Sequence, residues 1–315
     1  MFDVGYSTSG DSKKLLVISS GIHGVEGFFG SAVQVALLNQ WATQSAGSAR
    51  CLFLHGLNPY GFAWLRRFDE NNVDPNRNFL LEGERHESAP VGYAALNSLL
   101  NPRYPPSRWD PFTLKALWAI ARHGLPALRQ TIAAGQYAFP QGLFFGGTGP
   151  SRMHLIMKEN LRRWLQGSHH VVHLDFHTGL GPMGTYKLLI DNPLTESQRN
   201  RLTDWFGADS FEASDASSIA YEARGGFGRW CAAESLVPDY LFACAEFGTY
   251  SPLQVLAGLR TENQAHHWHT PSAAGTRRAK QRLKELFCPA SETWRKQVLH
   301  KSLDLIARTV QRMGT

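Results

Sequence analysis

The chain has no apolar run near the roughly 20 residues that a membrane-spanning helix needs, so no membrane association is expected. Its start, MFDVGYSTSGDSKK, is polar and lacks the basic-then-apolar order of a secretory signal. Cysteine is scarce: Cys51, Cys231, Cys244 and Cys288 are widely spaced, with no C-x-x-C pair. Reduced thiols in a cytoplasmic protein fit that usage. No Gly-x-Ser-x-Gly elbow occurs, which argues against a serine hydrolase on an α/β sheet. The cluster Gly146-Gly147-Thr148-Gly149 is followed by no Gly-Lys-Ser/Thr and is not a phosphate loop.

What is present is a 315-residue chain with 43% hydrophobic content, enough core for one large α/β domain or two small ones. The net charge of +6 is uneven, with Arg277, Arg278, Lys280, Arg282, Lys284, Arg295, Lys296 and Lys301 near the C-terminal end. They punctuate two stretches with helical apolar spacing, Thr276–Phe287 and Ser291–Met313. Solvated helix faces account for them, and no base-reading motif accompanies them, so no nucleic-acid partner is expected.

The organising stretch is Leu15–Phe28, LLVISSGIHGVEGF. Leu15 to Ser19 reads as a buried parallel strand. It stops at Ser20-Gly21, and His23 and Glu26 follow at once, before an apolar segment with helical spacing. Chemistry at the carboxyl end of a sheet strand is where open α/β sheets keep their ligands. An imidazole and a carboxylate so spaced can converge on one cation, and zinc accepts both. Read alone, the pair is more often a surface His and Glu in a glycine-rich loop than a zinc site.

Further strands are expected at Arg50–Leu54, His170–Phe176 and Leu241–Ala245, and helices at Pro111–His123, Leu125–Ala134 and Arg152–Gln166. Between Arg66 and Phe79 the sequence RRFDENNVDPNRNF is dense in polar side chains that would need partners if buried. Arg suits bidentate carboxylate recognition. His177 follows a strand on a sharp Thr-Gly turn, and His173 and Asp175 share its face by the alternation of a strand. Core or supporting roles are expected for those two. Glu246 stands at the end of the last strand. His266, His267 and His269 are read as surface residues.

Taken in order, GIHGVE, NPYGFAW, DPNRNF, the strand ending in His177, the segment SIAYEARGGFGRW and Glu246 resemble the signature series of the zinc carboxypeptidases. The resemblance runs from about Leu15 to about Pro252. It implies one α/β domain over residues 1–315, with a mixed, mostly parallel sheet of about eight strands, helices on both faces, and an elaboration at about 82–150. It implies one Zn2+ per chain on His23, Glu26 and His177, with Asp74 bonded to the first histidine. Glu246 would be the catalytic carboxylate. Asn76 and Arg77 would hold a substrate carboxylate, over which Tyr221 would close. Arg66 and Arg67 compete for the arginine that polarises the scissile carbonyl. Arg67 is preferred, because Arg-Phe-Asp-Glu matches the related deacylase branch (the aspartoacylase and succinylglutamate desuccinylase type).

The activity so implied is hydrolysis of an amide next to a free carboxylate, most simply by a carboxypeptidase-like metallopeptidase acting on a peptide or small molecule. An N-acyl amino acid deacylase and an inactive carboxylate-binding member of the fold are the alternatives. In such enzymes the residues after the Gly-Gly pair shape the side-chain pocket. Gly228 beside Arg229 points to a polar or acidic substrate group.

Overall fold

The computed structural model describes residues 2–7, 11–43, 49–213 and 223–314. Seven strands form one sheet among these residues: β1 (Asp3–Tyr6), β2 (Asp11–Ser20), β3 (Ala49–His55), β4 (His170–Thr178), β5 (Tyr186–Ile190), β6 (Phe211–Ala213) and β7 (Asp239–Phe247). The order is β1-β3-β2-β4-β7-β5-β6. Strands β3, β2, β4 and β7 run parallel, whereas β1 and β5 pair antiparallel with β3 and β7. The sheet is therefore mixed and mostly parallel, with seven described strands against the eight or so expected.

Eleven described helices accompany it: α1 (Gly27–Thr43), α2 (Pro59–Ala63), α3 (Tyr93–Leu100), α4 (Phe112–His123), α5 (Leu125–Ala133), α6 (Arg152–Trp164), α7 (Glu196–Phe206), α8 (Phe227–Glu234), α9 (Pro252–Trp268), α10 (Ala274–Phe287) and α11 (Glu292–Gly314). Several begin as capping chemistry predicts. Ser151 caps α6 through the His154 N–H, and Thr195 with Gln198 and Ser251 with Gln254 form capping boxes on α7 and α9.

The central strands are rich in apolar residues because both their faces are covered. Leu16, Ile18, Val172, Leu174, Leu241, Ala243 and Ala245 pack on one side with Phe29 and Val33 of α1 and with Trp294, Val298 and Leu305 of α11. Leu15, Val17, Val171 and Phe242 face the other side, against Met157 and Leu161 of α6 and Phe227 and Trp230 of α8. Helices thus lie on both faces. At roughly 25 cal/mol per Å² of apolar surface removed from water, these two layers dominate the stabilisation. A third cluster, Val25, Phe68, Leu143, Phe144, Leu259, Leu283 and Phe287, joins α9 and α10 to the loops near the carboxyl ends of the strands.

Alternation along β4 and β7 then decides where polarity goes. His173, Asp175 and His177 share one face, opposite Phe242, Cys244 and Glu246 of β7 in register. The polar ends of these strands meet where the parallel strands terminate, in the position expected for a site.

Candidate metal centre

The turn after β2 is built by close backbone approach. Gly21 has φ +72°, and a Cβ on Gly24 would lie 2.0 Å from the Gly61 carbonyl carbon, so the short helical turn Gly24–Glu26 sits directly on α2. The Gly24 and Val25 N–H groups donate to the carbonyls of Arg67 and Arg66 at 3.3 and 2.7 Å. The two stretches singled out in the sequence are therefore one packed unit.

Out of this unit His23 and Glu26 project toward His177. His23 Nδ1 faces Glu26 Oε1 at 2.9 Å, and His177 Nδ1 faces Glu26 Oε2 at 3.1 Å. The imidazole rings stand edge-to-face, 5.0 Å between centroids. All three side chains are buried, and their ligand-type atoms lie within 4.8 Å of one another, a spread that one ion can bridge. Each imidazole donates its other nitrogen, Nε2, to a second carboxylate: His23 to Asp74 at 3.2 Å and His177 to Asp175 at 2.7 Å. Carboxylates behind metal-binding histidines fix ring orientation and raise ligand basicity. The donor set of two imidazoles and one carboxylate, so backed, fits zinc.

The charges support one another. Burial opposes ionisation of Glu26, but His23 and His177 overcome it and hold the carboxyl well below its usual range. Asp74 is held low in the same way by Arg67 and His23 against its burial. Burial disfavours His177 as a cation, yet Asp175 and Glu26 raise it well above an ordinary imidazole. Glu246 behaves oppositely. Burial, with Glu26 nearby, pushes it up to about 7, and Oε1 accepts the Leu180 N–H at 2.8 Å. A carboxyl near neutrality is suited to exchanging a proton. Glu246, Cys244 and His177 also offer ligand-type atoms within 4.8 Å of one another, so Glu246 borders the centre.

The two competing arginines separate cleanly. Arg66 is fully buried and donates from Nε to both oxygens of Glu262 at 3.0 and 3.2 Å, and from Nη2 to Asn72 and Asn263. It faces away from the centre. Arg67 donates from Nε to Asp74 at 2.8 Å and from Nη1 to Glu26 at 3.5 Å. Asn76 and Arg77 occupy the short turn Pro75–Arg77. The Arg77 guanidinium is pinned by the carbonyls of Ala133 and Asn76, and Asn76 Oδ1 accepts the Phe227 N–H at 2.9 Å. Arg67 and Arg77 flank one ring, Phe144, with guanidinium carbons 5.4 and 5.9 Å from its centroid. Tyr221 lies outside the described residues.

Three features escaped the reading of the sequence. Phe144 takes φ +57° to present its ring between the arginines, which only the aromatic, glycine-rich run FPQGLFFGGTGP could have signalled. The residues around 82–150 supply it, and a cavity of about 460 Å³ there is lined by Glu84, Gln130, Arg224 and Arg229. His266 and His267 are half-buried rather than exposed, because they close α9 beside the buried Arg66–Glu262 pair, and burial pushes them down to about 3 and about 4. Arg229 turns to Glu84, at 3.3 Å, and Asp191 lies beside Gly228.

Residues 1–301 match the family described as a protein of unknown function (DUF2817). No curated protein matches the sequence. Among solved structures, bovine thrombin-activatable fibrinolysis inhibitor, in complex with tick carboxypeptidase inhibitor, is 12% identical. The match covers 98% of this chain and 84% of that one, with a TM-score of 0.52. Carboxypeptidase A from Helicoverpa armigera is 13% identical over 87% of this chain, with a TM-score of 0.46; this chain spans 61% of its length. The succinylglutamate desuccinylase from Chromobacterium violaceum is 15% identical over 84% of this chain and 63% of that one, with a TM-score of 0.41. The fold is that of the zinc carboxypeptidases. None of the described helices is long and apolar enough to cross a membrane.

Proposed function

Belonging to a family of unknown function (DUF2817) assigns this chain no reaction, and we propose from its site that it is a zinc-dependent hydrolase. It would cleave an amide bond next to a free carboxylate, in the manner of a carboxypeptidase-like metallopeptidase. One observation carries the reading. His23, Glu26 and His177 converge in a buried cluster, each histidine backed by its own carboxylate, beside a Glu246 poised near neutrality.

Zinc held by His23, Glu26 and His177 would supply Lewis acidity and bring the pKa of a water toward roughly 7. The remaining work falls to side chains of this chain. Glu246, raised to about 7 by burial, takes the proton of the attacking water and returns it to the leaving amine. Arg67, fixed by Asp74 and Glu26, presents positive charge where negative charge develops on the carbonyl oxygen. Arg77 and Asn76, fixed by backbone partners, orient the free carboxylate. Phe144 keeps the two guanidinium groups apart and partly dry.

The test is elemental analysis of protein purified without added metal, for wild type and His177→Ala, followed by assay of peptides against N-acyl amino acids. About one zinc per chain, lost in the variant, with hydrolysis of either substrate class, is expected. A wild type that binds no zinc at neutral pH overturns the reading and leaves a carboxylate-binding protein. Hydrolysis confined to N-acyl amino acids replaces the peptidase with a deacylase.

A further inference from the structure

Helix α4 carries two apolar stripes, and the core uses one of them. Phe112, Ala116 and Ala119, spaced i, i+4 and i+7, are buried, and the Arg260 guanidinium of α9 lies 4.7 Å from the Phe112 ring centre. Leu114, Leu117, Trp118 and Ala121, spaced i, i+3, i+4 and i+7, form the second stripe and face solvent. Leu114 is 71% and Trp118 63% exposed. Alanines thus fill inward positions while the larger Leu114, Leu117 and Trp118 point outward, the reverse of what a helix serving only the core requires. Just ahead of the helix, Trp109 is 79% exposed. Scattered apolar residues at a surface need no explanation, whereas a helical row of them does.

The charge around this stripe has one sign. Between Ser88 and Lys158 the only acidic residue is Asp110, whose carboxylate is held by Arg260 at 2.8 Å. Against it stand Arg103, Arg108, Lys115, Arg122 and Arg129, all of them exposed. Lys115 and Arg122, about two turns apart, run along one edge of the outward stripe. The Arg108 guanidinium lies 4.9 Å from the Trp109 ring centre, and that of Arg122 lies 5.3 Å from the ring centre of Trp118. Among the described residues, no carboxylate lies within 4 Å of the Arg108, Lys115 or Arg122 cations.

We propose that the outward face of α4, together with Trp109, docks on an anionic lipid bilayer, with the helix lying in the plane of the headgroups. The side chains match the depth order of such an interface. Leucines reach the acyl boundary, tryptophans sit at the level of the headgroups, and the arginines beside them meet lipid phosphates. At 12 residues the helix is about 18 Å long, too short to span a bilayer and suited to lying flat on one. A second copy of this chain, docked face to face, would set Arg108, Lys115 and Arg122 against the same cations, with no acidic residue in α4 to meet them. The missing spanning run excludes crossing of the membrane alone, and contact with one leaflet needs no such run. The inference is independent of the hydrolase reading, since docking requires neither metal nor turnover.

The experiment is co-sedimentation of the full chain with vesicles of phosphatidylcholine alone and of phosphatidylcholine mixed with phosphatidylglycerol, at low and at high salt. Binding to the mixed vesicles is expected to be at least about tenfold tighter than to the neutral ones, and to weaken as salt rises. Leu114→Ser combined with Trp118→Ser should reduce it about tenfold or more at an unchanged melting temperature, because both side chains are exposed. Arg108→Glu combined with Arg122→Glu should abolish the preference for anionic lipid. Arg278→Glu combined with Lys296→Glu, an equal change of charge at exposed positions of α10 and α11, should leave binding as it was. That pair separates this face from the overall charge of +6. Absence of binding to the mixed vesicles, full binding by the Leu114 and Trp118 variant, or an equal loss in the α10 and α11 variant overturns the proposal. A wild type that ignores vesicles but sediments as a dimer, which the Leu114 and Trp118 variant breaks, overturns it in favour of a second copy. The wild-type comparison decides by itself if a variant does not fold.

Discussion

Asp175 accepts the His177 Nε2–H at 2.7 Å on one oxygen and the Ser19 hydroxyl at 2.6 Å on the other. Ser19 in turn accepts from His173 Nε2 at 2.7 Å, and the Tyr240 hydroxyl donates to His173 Nδ1 at 2.7 Å. Donors and acceptors alternate along the whole row if His173 is neutral, and burial keeps it so by pushing its pKa down to about 4. The row holds His177 in a single orientation along one face of the sheet.

Asp175 is therefore a positioning residue. Asp175→Asn should lower zinc affinity about 10- to 100-fold, the usual effect of removing the carboxylate behind a metal-binding histidine. Competition with a chelator measures it, and the circular dichroism spectrum should not change. Zinc affinity equal to wild type would show that His177 needs no such support.

Glu246→Gln should retain zinc and lose turnover by about 10²- to 10⁴-fold, because the amide neither takes nor gives the proton that the reaction moves. Metal content and kcat, measured together, distinguish this from collapse of the site. Loss of zinc in that variant would make Glu246 a ligand instead.

Arg66 and Arg67 should differ in kind. Arg66→Met leaves Glu262 buried without its main partner, a loss of about 3 to 5 kcal/mol in urea unfolding. Arg67→Lys should keep most of the stability and reduce kcat by about 10²-fold or more, since a point charge replaces a fork fixed by Asp74 and Glu26. Equal stability losses with equal kcat would refute the division.

Stability should fall as pH drops below about 6.5, and His173 supplies part of the reason. Its folded pKa of about 4 lies below the ordinary value of 6.5. In that window the unfolded chain binds a proton that the folded chain refuses. The contribution is complete above pH 6.5 and lost progressively down to pH 4, about 3 kcal/mol in all at 1.36 kcal/mol per unit. Urea unfolding between pH 7 and pH 4.5 should show His173→Gln with a shallower dependence than wild type, by about one proton. Parallel curves would count against a neutral His173.

The core strands were legible because they are covered on both faces: Leu15–Ile18 is a continuous apolar run, and Val171–Phe176 is apolar at every position except His173 and Asp175. That His23, Glu26, His177, Asp74 and Glu246 come together was legible because each sits at a strand end or in a short polar motif, where sequence spacing maps directly onto space. The approach of Asp191 to Gly228 was not: Asp191 follows β5 without a motif, and Gly228 reaches it through a distant loop. The half-burial of His266 and His267 was hidden for the same kind of reason. Polar neighbours suggest solvent, but here they are the buried Glu262 and Asn263 that serve Arg66. Tyr221 falls outside the described residues.

Arg66 is gripped from two sides. Its carbonyl accepts the Val25 N–H in the turn between His23 and Glu26, and its guanidinium clasps Glu262 of α9, which Lys280 of α10 also reaches at 2.8 Å. Mechanically, this makes Arg66 a tether between the C-terminal helices and the turn that carries His23 and Glu26. Slack introduced in α9 or α10 would be transmitted to the turn that carries His23 and Glu26 while the sheet beneath stayed taut, so the candidate centre is steadied from the far end of the chain.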